Sequence, residues 1–234
     1  MTAYGALARH YDALMSHVDY TVWAEMLVPH TRKGDIVLDA ACGTGSLSRL
    51  LAQRGLEVIA VDASEAMLAE ARQKSAAPLF LNQRLEALDL YGTVAAAVCG
   101  LDAMNYITST DSFARALARI HLFLDPGGVF LFDVKTPECF AGMDGQSFVS
   151  RAENAFCVWE SERDGTLIRH DVTLFEREGG LWRRFEERHT QRAYTTEYIG
   201  GAMRAAGFTD LDVSERPELR GRVFILGRKP HEIK

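Results

Sequence analysis

The chain has 234 residues, with 26 Lys or Arg against 32 Asp or Glu, for a formal charge of −6 at pH 7. A hydrophobic share of 47% beside 25% charged residues is that of a globular chain; it excludes wholesale disorder, a collagen-like chain and a disulfide-dense miniature scaffold. No apolar run is long enough to span a bilayer as a helix, so no membrane partner is expected. The opening MTAYGALARHYDALM has no long apolar core behind a basic patch and does not read as a secretory signal. The acidic balance argues against a nucleic-acid partner, whose binding leans on neutralising phosphates. Cys42, Cys99, Cys139 and Cys157 are widely spaced without a CxxC pair. They read as reduced thiols in a cytoplasmic protein, and no metal site is expected.

In chain order, residues 5–16 and 19–30 carry apolar and aromatic positions at helical spacing (Leu7, Tyr11, Leu14; Tyr20, Trp23, Leu27) and predict two helices ahead of a sheet. Ile36–Ala40 reads as a buried strand, Cys42-Gly43-Thr44-Gly45 as a turn and Ser46–Arg54 as a helix closed by Gly55. The pattern repeats with a strand at Glu57–Val61 and a helix at Ser64–Lys74. Strands follow at Leu79–Leu81 and Val94–Cys99, then a helix at Ser112–Phe123, a Pro126-Gly127-Gly128 turn and a strand at Val129–Val134. Apolar strands alternating with amphipathic helices imply an α/β fold, a mostly parallel sheet covered on both faces.

The pattern breaks between about 145 and 193. Phe156–Glu162, Leu167–Arg177 and Leu181–Arg192 are separated by Asp164-Gly165 and Gly179-Gly180, which are hairpin signals. They predict an antiparallel meander, serving as pocket lip or dimer surface; a homodimer therefore stays open. A helix at Thr195–Ala206 and strands near 208–214 and 222–228 complete the chain. The expected organisation is residues 1–144 as amino-terminal helices and binding core, 145–193 as the insertion, and 194–234 as the end of the core sheet.

The most informative stretch is Val37-Leu38-Asp39-Ala40-Ala41-Cys42-Gly43-Thr44-Gly45. A strand enters a glycine turn and a helix leaves it, so the backbone approaches a ligand closely beside unpaired N–H groups. The third glycine of a dinucleotide loop is replaced by Ser48, and no GK[ST] follows. Asp39 repels a phosphate but suits an ammonium or sulfonium group. Asp62 closes the next strand, 19 residues after Gly43, where an acid accepts both hydroxyls of a ribose. A ligand with a nucleoside and a cationic amino-acid end, and no phosphate between them, fits both acids. S-adenosylmethionine has that pattern.

VLDAACGTG followed by VDAS resembles motif I and the ribose acid of class I S-adenosylmethionine-dependent methyltransferases. LFLDPGGVFLFDV at 122–134 resembles that family's approach to its fifth strand. Asp102-Ala103-Met104-Asn105-Tyr106, and Tyr11-Asp12 with Asp19-Tyr20-x-x-Trp23, resemble a bacterial small-molecule subgroup. The resemblance implies a seven-stranded Rossmann-like sheet of order 3-2-1-4-5-7-6 with its seventh strand antiparallel. It places Asp39, Ala41, Gly43 and Gly45 around the methionine part of the cofactor, Asp62 at the ribose, and Ala63, Met67 and Leu85 near the adenine. Tyr11 and Trp23 would close the pocket. Arg84 stands where the subgroup has an acid that accepts from the adenine amino group, which leaves Gln83 or Glu86 for that contact. Asp102 faces cofactor or substrate in this reading, and Lys135, a further departure from the subgroup, is assigned to the substrate.

Methyl transfer from a sulfonium needs no acid for its neutral leaving group, so no fixed catalytic constellation is expected. Tyr106, His170 and His189 are the candidate bases. The seven histidines form no close metal pattern. The function expected is methyl transfer to a small-molecule N or O acceptor. The alternatives are a cofactor-binding sensor or non-catalytic protein on the same fold, an RNA or protein methyltransferase, and an NAD(P)-dependent oxidoreductase. The missing third glycine and Asp39 count against the last.

Overall fold

A computed structural model describes residues 4–231. The amino-terminal region holds two short α-helices, α1 (Tyr11–Leu14) and α2 (Thr21–Leu27), each joined to a single 3-10 turn. They are shorter than the sequence periodicity predicts. The parallel section follows: β1 (Ile36–Ala40), α3 (Ser46–Gln53), β2 (Glu57–Asp62), α4 (Glu65–Lys74), β3 (Leu79–Asn82), β4 (Val94–Cys99), α5 (Thr110–Phe123) and β5 (Leu124–Lys135). Next come α6 (Pro137–Met143) and the strands β6 (Ser147–Ala152), β7 (Ala155–Asp164), β8 (Leu167–Glu178) and β9 (Leu181–Arg192). The chain ends with α7 (Thr196–Ala205), β10 (Thr209–Glu215) and β11 (Arg222–Arg228).

The main sheet has seven strands in the order β3-β2-β1-β4-β5-β11-β10. Pairing is parallel from β3 to β5, and β11 is antiparallel to both β5 and β10. This is the Rossmann-like methyltransferase order expected from the resemblance, with β4 at the centre and the strand order reversing between β1 and β4. Successive residues of the central strands feed opposite faces. Leu38, Ala97 and Phe130 pack with α5 and α7, while Val37, Ala96 and Leu131 pack with α2 and α3.

Two local readings change. The Pro126-Gly127-Gly128 segment belongs to β5 rather than to a turn before it. Gly127 N–H donates to the Lys229 carbonyl (2.9 Å) and Lys229 N–H to the Gly128 carbonyl (2.8 Å), so the residues after β11 hold the segment in place, with Gly127 at φ +83. Helix α6 was not anticipated, although its start carries a plain signal. Thr136 caps it by accepting from Cys139 N–H (3.2 Å), and Pro137 occupies the first helical position.

The insertion is a separate four-stranded antiparallel sheet, β6-β7-β8-β9, with one more strand than the hairpin signals indicate. Part of its inner face, Ala155, Cys157, Val172 and Leu174, forms a third core cluster with Leu7 and Leu14 of the amino-terminal segment.

A buried ionic network ties the two sheets together. Arg222 on β11 spans Asp102, after β4, and Asp133, on β5, at 2.5 Å to each. Lys135 Nζ lies 3.1 Å from Asp102, and Gln191 of the inserted sheet donates to the same carboxylate at 2.6 Å. Asp133 also accepts from the Trp23 indole N–H (2.7 Å) and from Asp102 N–H (2.9 Å). Burial alone would raise the Asp102 carboxyl, but Arg222 and Lys135 outweigh it and hold it at about 2. Removing Arg222 leaves two buried carboxylates sharing one partly exposed lysine. Arg222→Met is therefore expected to lower the unfolding free energy by about 3–5 kcal/mol in urea titrations at neutral pH. Lys135→Met is expected to cost less.

Candidate active site

A cavity of about 720 Å³ opens at the carboxyl ends of β1, β2 and β4, where open α/β sheets hold ligands. Its first wall is the glycine loop. Gly43 has φ +55 with nothing within 4 Å of where a Cβ would stand, so the backbone faces open space there. Ala41, with φ 62, adopts a left-handed backbone without being glycine, an uncommon conformation on the cavity wall. Gly45 does not line the cavity. It precedes α3 at φ +76, and an added Cβ would sit 3.2 Å from Ala71 and Phe80. Its glycine serves the packing of the loop against α4 and β3, and the expected ligand contact is corrected accordingly.

Asp39 is buried, and one of its oxygens accepts from Ser48 Oγ at 2.5 Å. Burial pushes the carboxyl up to about 7 despite that hydrogen bond, and the Asp62 charge adds to the rise. Asp62 accepts from Gly43 N–H and Ser64 N–H, both at 2.8 Å, one at each oxygen. Burial raises it too, against those N–H donors. The two acids thus flank one loop from neighbouring strands, and both face the cavity.

Beyond Asp62 the wall continues with Ala63 and Met67 and, across the cavity, Leu85 and Glu86. Arg84 Nε pairs with Glu86 at 2.6 Å. Gln83 spends its amide on the Asp89 backbone, accepting at 2.8 Å and donating at 3.0 Å, which leaves Glu86 as the acid of this wall.

The opposite end is aromatic. Tyr4, Tyr11, Tyr20, Trp23 and Tyr106 line it with Leu101, Ala103 and Ile107. Trp23 is fully buried with its N–H committed to Asp133, so it forms a floor rather than a lid. Tyr4 was not singled out from sequence. The signal for Tyr20 lay in the Asp19-Tyr20-x-x-Trp23 run.

Behind the aromatic end a hydrogen-bond chain leads into the inserted sheet. The Tyr4 and Tyr106 hydroxyls are 2.6 Å apart, Tyr106 Oη is 3.2 Å from His189 Nδ1, and His189 Nε2 is 3.1 Å from Glu187. The Glu187 carboxylate also accepts backbone N–H groups from Tyr4 (2.7 Å), Ala6 (2.7 Å) and Leu7 (3.0 Å). Glu187 was not singled out from sequence.

Four further assignments are corrected. Asp102 lies in the ionic network and not on the cavity, and Lys135 is its partner rather than a substrate contact. His170 is buried between Ser161 (2.8 Å) and Gln191 (3.3 Å) and does not reach the cavity; burial holds it at about 4. His189 also lies off the cavity, one hydroxyl removed from it through Tyr106.

A family model described as a methyltransferase domain matches residues 37–128. YqeM of Bacillus subtilis, named as a candidate methyltransferase, is 32% identical over 98% of both chains. The crystal structure of an S-adenosylmethionine-dependent methyltransferase from Clostridium acetobutylicum is 28% identical, with a TM-score of 0.84 over 98% of this chain and 100% of that one. The S-adenosylmethionine-bound amino pentose methyltransferase CalS10 of Micromonospora echinaspora shares the fold at 24% identity, with a TM-score of 0.78 over 98% of this chain and 97% of that one. The sheet order, the acid-flanked glycine loop and these relatives agree: the chain belongs to the class I S-adenosylmethionine-dependent methyltransferase superfamily.

Proposed function

We propose that the protein transfers the methyl group of S-adenosylmethionine to a small-molecule acceptor bound at the aromatic end of the cavity. The observation that carries this reading is the pair Asp39 and Asp62, acids near the ends of two neighbouring strands that flank the glycine loop and face a single cavity. The open space at Gly43 and the pair of cavity-facing carboxylates fit a nucleoside with a cationic amino-acid end. Asp39 would hold the cationic part, Asp62 the ribose, and Met67 and Leu85 the adenine, with Glu86 as acceptor for its amino group.

Bound S-adenosylmethionine supplies an electrophilic methyl carbon on a positively charged sulfur. The chain's own task is to align the acceptor and exclude water. A cavity of about 720 Å³ has room for a nucleoside and a small partner. Tyr4 and Gly5 cover the acceptor end, with the Tyr4 backbone held by Glu187, so a protein or RNA acceptor would have to displace them.

Two experiments test the reading. Incubation with S-adenosylmethionine and a panel of small alcohols, phenols and amines is expected to release S-adenosylhomocysteine with at least one of them. Binding without turnover across the panel would favour a sensor, and binding of NAD(P) instead of S-adenosylmethionine would sink the assignment.

The second concerns Asp39. Its carboxyl sits at about 7 in the unliganded fold, and a cation binds the ionised form. Affinity for S-adenosylmethionine is therefore expected to rise about tenfold from pH 6 to pH 8 in calorimetry, with proton release, while adenosine affinity stays flat. For stability the sign is opposite. A carboxyl raised in the fold stabilises fully below its ordinary value and loses that contribution as pH rises through about 7. Relative to Asp39→Asn, the unliganded protein should lose unfolding free energy across that window. A parallel pH dependence in protein and variant would refute the role of Asp39.

A further inference from the structure

The hydrogen bonds behind the acceptor end have a direction, and the direction is set from the far end inward. Glu187 accepts three backbone N–H groups and His189 Nε2. Burial alone would raise its carboxyl, but the His189 hydrogen bond and those N–H groups outweigh it and hold it below its ordinary range. An ionised carboxylate only accepts, so His189 must carry its proton on Nε2. A neutral imidazole protonated there presents a lone pair at Nδ1, so Tyr106 donates to it across 3.2 Å. Tyr106 has then spent its only proton, so the contact of 2.6 Å is made by the Tyr4 hydroxyl donating to Tyr106. Tyr4 lines the cavity, and its oxygen is left with lone pairs alone to offer a ligand.

A second observation shows that Tyr4 is held for this purpose rather than lying loosely. Its backbone takes φ 63, a costly conformation for a tyrosine, while its N–H is fixed by the same Glu187 that orients His189. Its ring also stands edge-on to those of Tyr11 and His189, with centroids 5.8 Å and 4.6 Å away.

Resting on the methyltransferase reading, we propose that Tyr4, Tyr106, His189 and Glu187 form a one-way proton relay, and that Tyr4 selects acceptors presenting an O–H or N–H. The acceptor's oxygen–carbon or nitrogen–carbon bond forms as the carbon–sulfur bond breaks, and that bond's electron pair stays on sulfur. The acceptor proton passes to Tyr4 Oη, the Tyr4 proton to Tyr106 and the Tyr106 proton to His189 Nδ1. An imidazolium is left against the Glu187 carboxylate, and the total charge is conserved. Neither tyrosine needs to persist as an anion. Tyr4 is the contact residue, while Tyr106, His189 and Glu187 act through it.

Nitrogen NMR of the protein labelled at its histidine rings tests the direction without any acceptor. His189 is expected in the Nε2-protonated form, and Tyr106→Phe should shift its Nδ1 resonance by removing the donor. A proton on Nδ1, or a resonance indifferent to Tyr106→Phe, overturns the relay. Turnover supplies the second arm, using S-adenosylmethionine with the panel acceptors. Tyr4→Phe and His189→Gln are each expected to lower kcat roughly hundredfold while the KM for S-adenosylmethionine holds. A tertiary amine, which has no N–H, is expected to remain unmethylated, and its turnover at the rate of a primary amine overturns the selection by Tyr4. Loss of S-adenosylmethionine binding in the unaltered protein would instead refute the methyltransferase reading. Glu187→Gln is read by NMR first, because it also loosens the amino-terminal segment.

Discussion

The cavity depends on a buried balance of charge. Asp102, in the turn after β4, and Asp133, on β5, are neutralised among the described residues only by Arg222 and Lys135. Buried charges are tolerable when paired and hydrogen-bonded, and they cost several kcal/mol when they are not. The four groups therefore fix the relative positions of β5, β11 and the turn after β4. That turn pays in backbone conformation, with Leu101 at φ 57 and Asp102 at φ 52. Trp23 is drawn into the same arrangement through its indole N–H, which places its ring under the cavity. Gln191 extends the network to the inserted sheet. One electrostatic requirement thus sets the floor of the site and the docking of the insertion.

The amino-terminal segment is tethered at both ends by carboxylates of opposite origin. Its own Asp12 accepts from Thr44 Oγ1 of the glycine loop at 2.5 Å and pairs with Lys74 at the end of α4. At the other end it supplies the N–H groups and Glu187 supplies the carboxylate. Between the tethers, Leu7 and Leu14 are buried against the inserted sheet. The segment spans from the loop that the acids flank to the strand that carries His189. The same short segment thus contacts both the glycine loop and the inserted sheet.

What was legible in the sequence follows the range of the interactions. Asp39, Gly43 and Asp62 all fall on the cavity, at or beside the strand ends that flank the glycine turn. Local chemistry announces such positions. Ala41, Ala63, Met67, Tyr11, Trp23, Leu85, Glu86 and Tyr106 also reach the cavity, and their resemblance to a known pattern indicated them. Asp102 was misread because an acid after a strand looks the same whether it faces a ligand or an arginine 120 positions later. Glu187 and Tyr4 escaped for a related reason: their partners are 183 residues apart in the chain. Gly45 carried the right conformational signal, a positive φ, but a different cause for it.

The inserted sheet shows why the acceptor side resists sequence reading while obeying simple rules. Its strands alternate faces, so Cys157 and Ser161 on β7, Leu174 and His170 on β8, and Phe185, His189 and Gln191 on β9 share the inner face. Along β9 that face changes from Phe185 to the polar Glu187, His189 and Gln191, and Ser161 and His170 extend the polar part onto β7 and β8. The apolar part meets Leu7 and Leu14, and the polar part meets Tyr106 and the ionic network. A strict period-two pattern of apolar residues would have announced a half-buried sheet. The polar residues interrupt it because the surface beneath them is itself polar, and buried polar groups persist only where partners wait. His170 and His189 are cross-strand neighbours at that boundary, yet only His189 faces a hydroxyl on the cavity wall. The difference lies in what the core sheet presents opposite each ring, which neither strand encodes by itself.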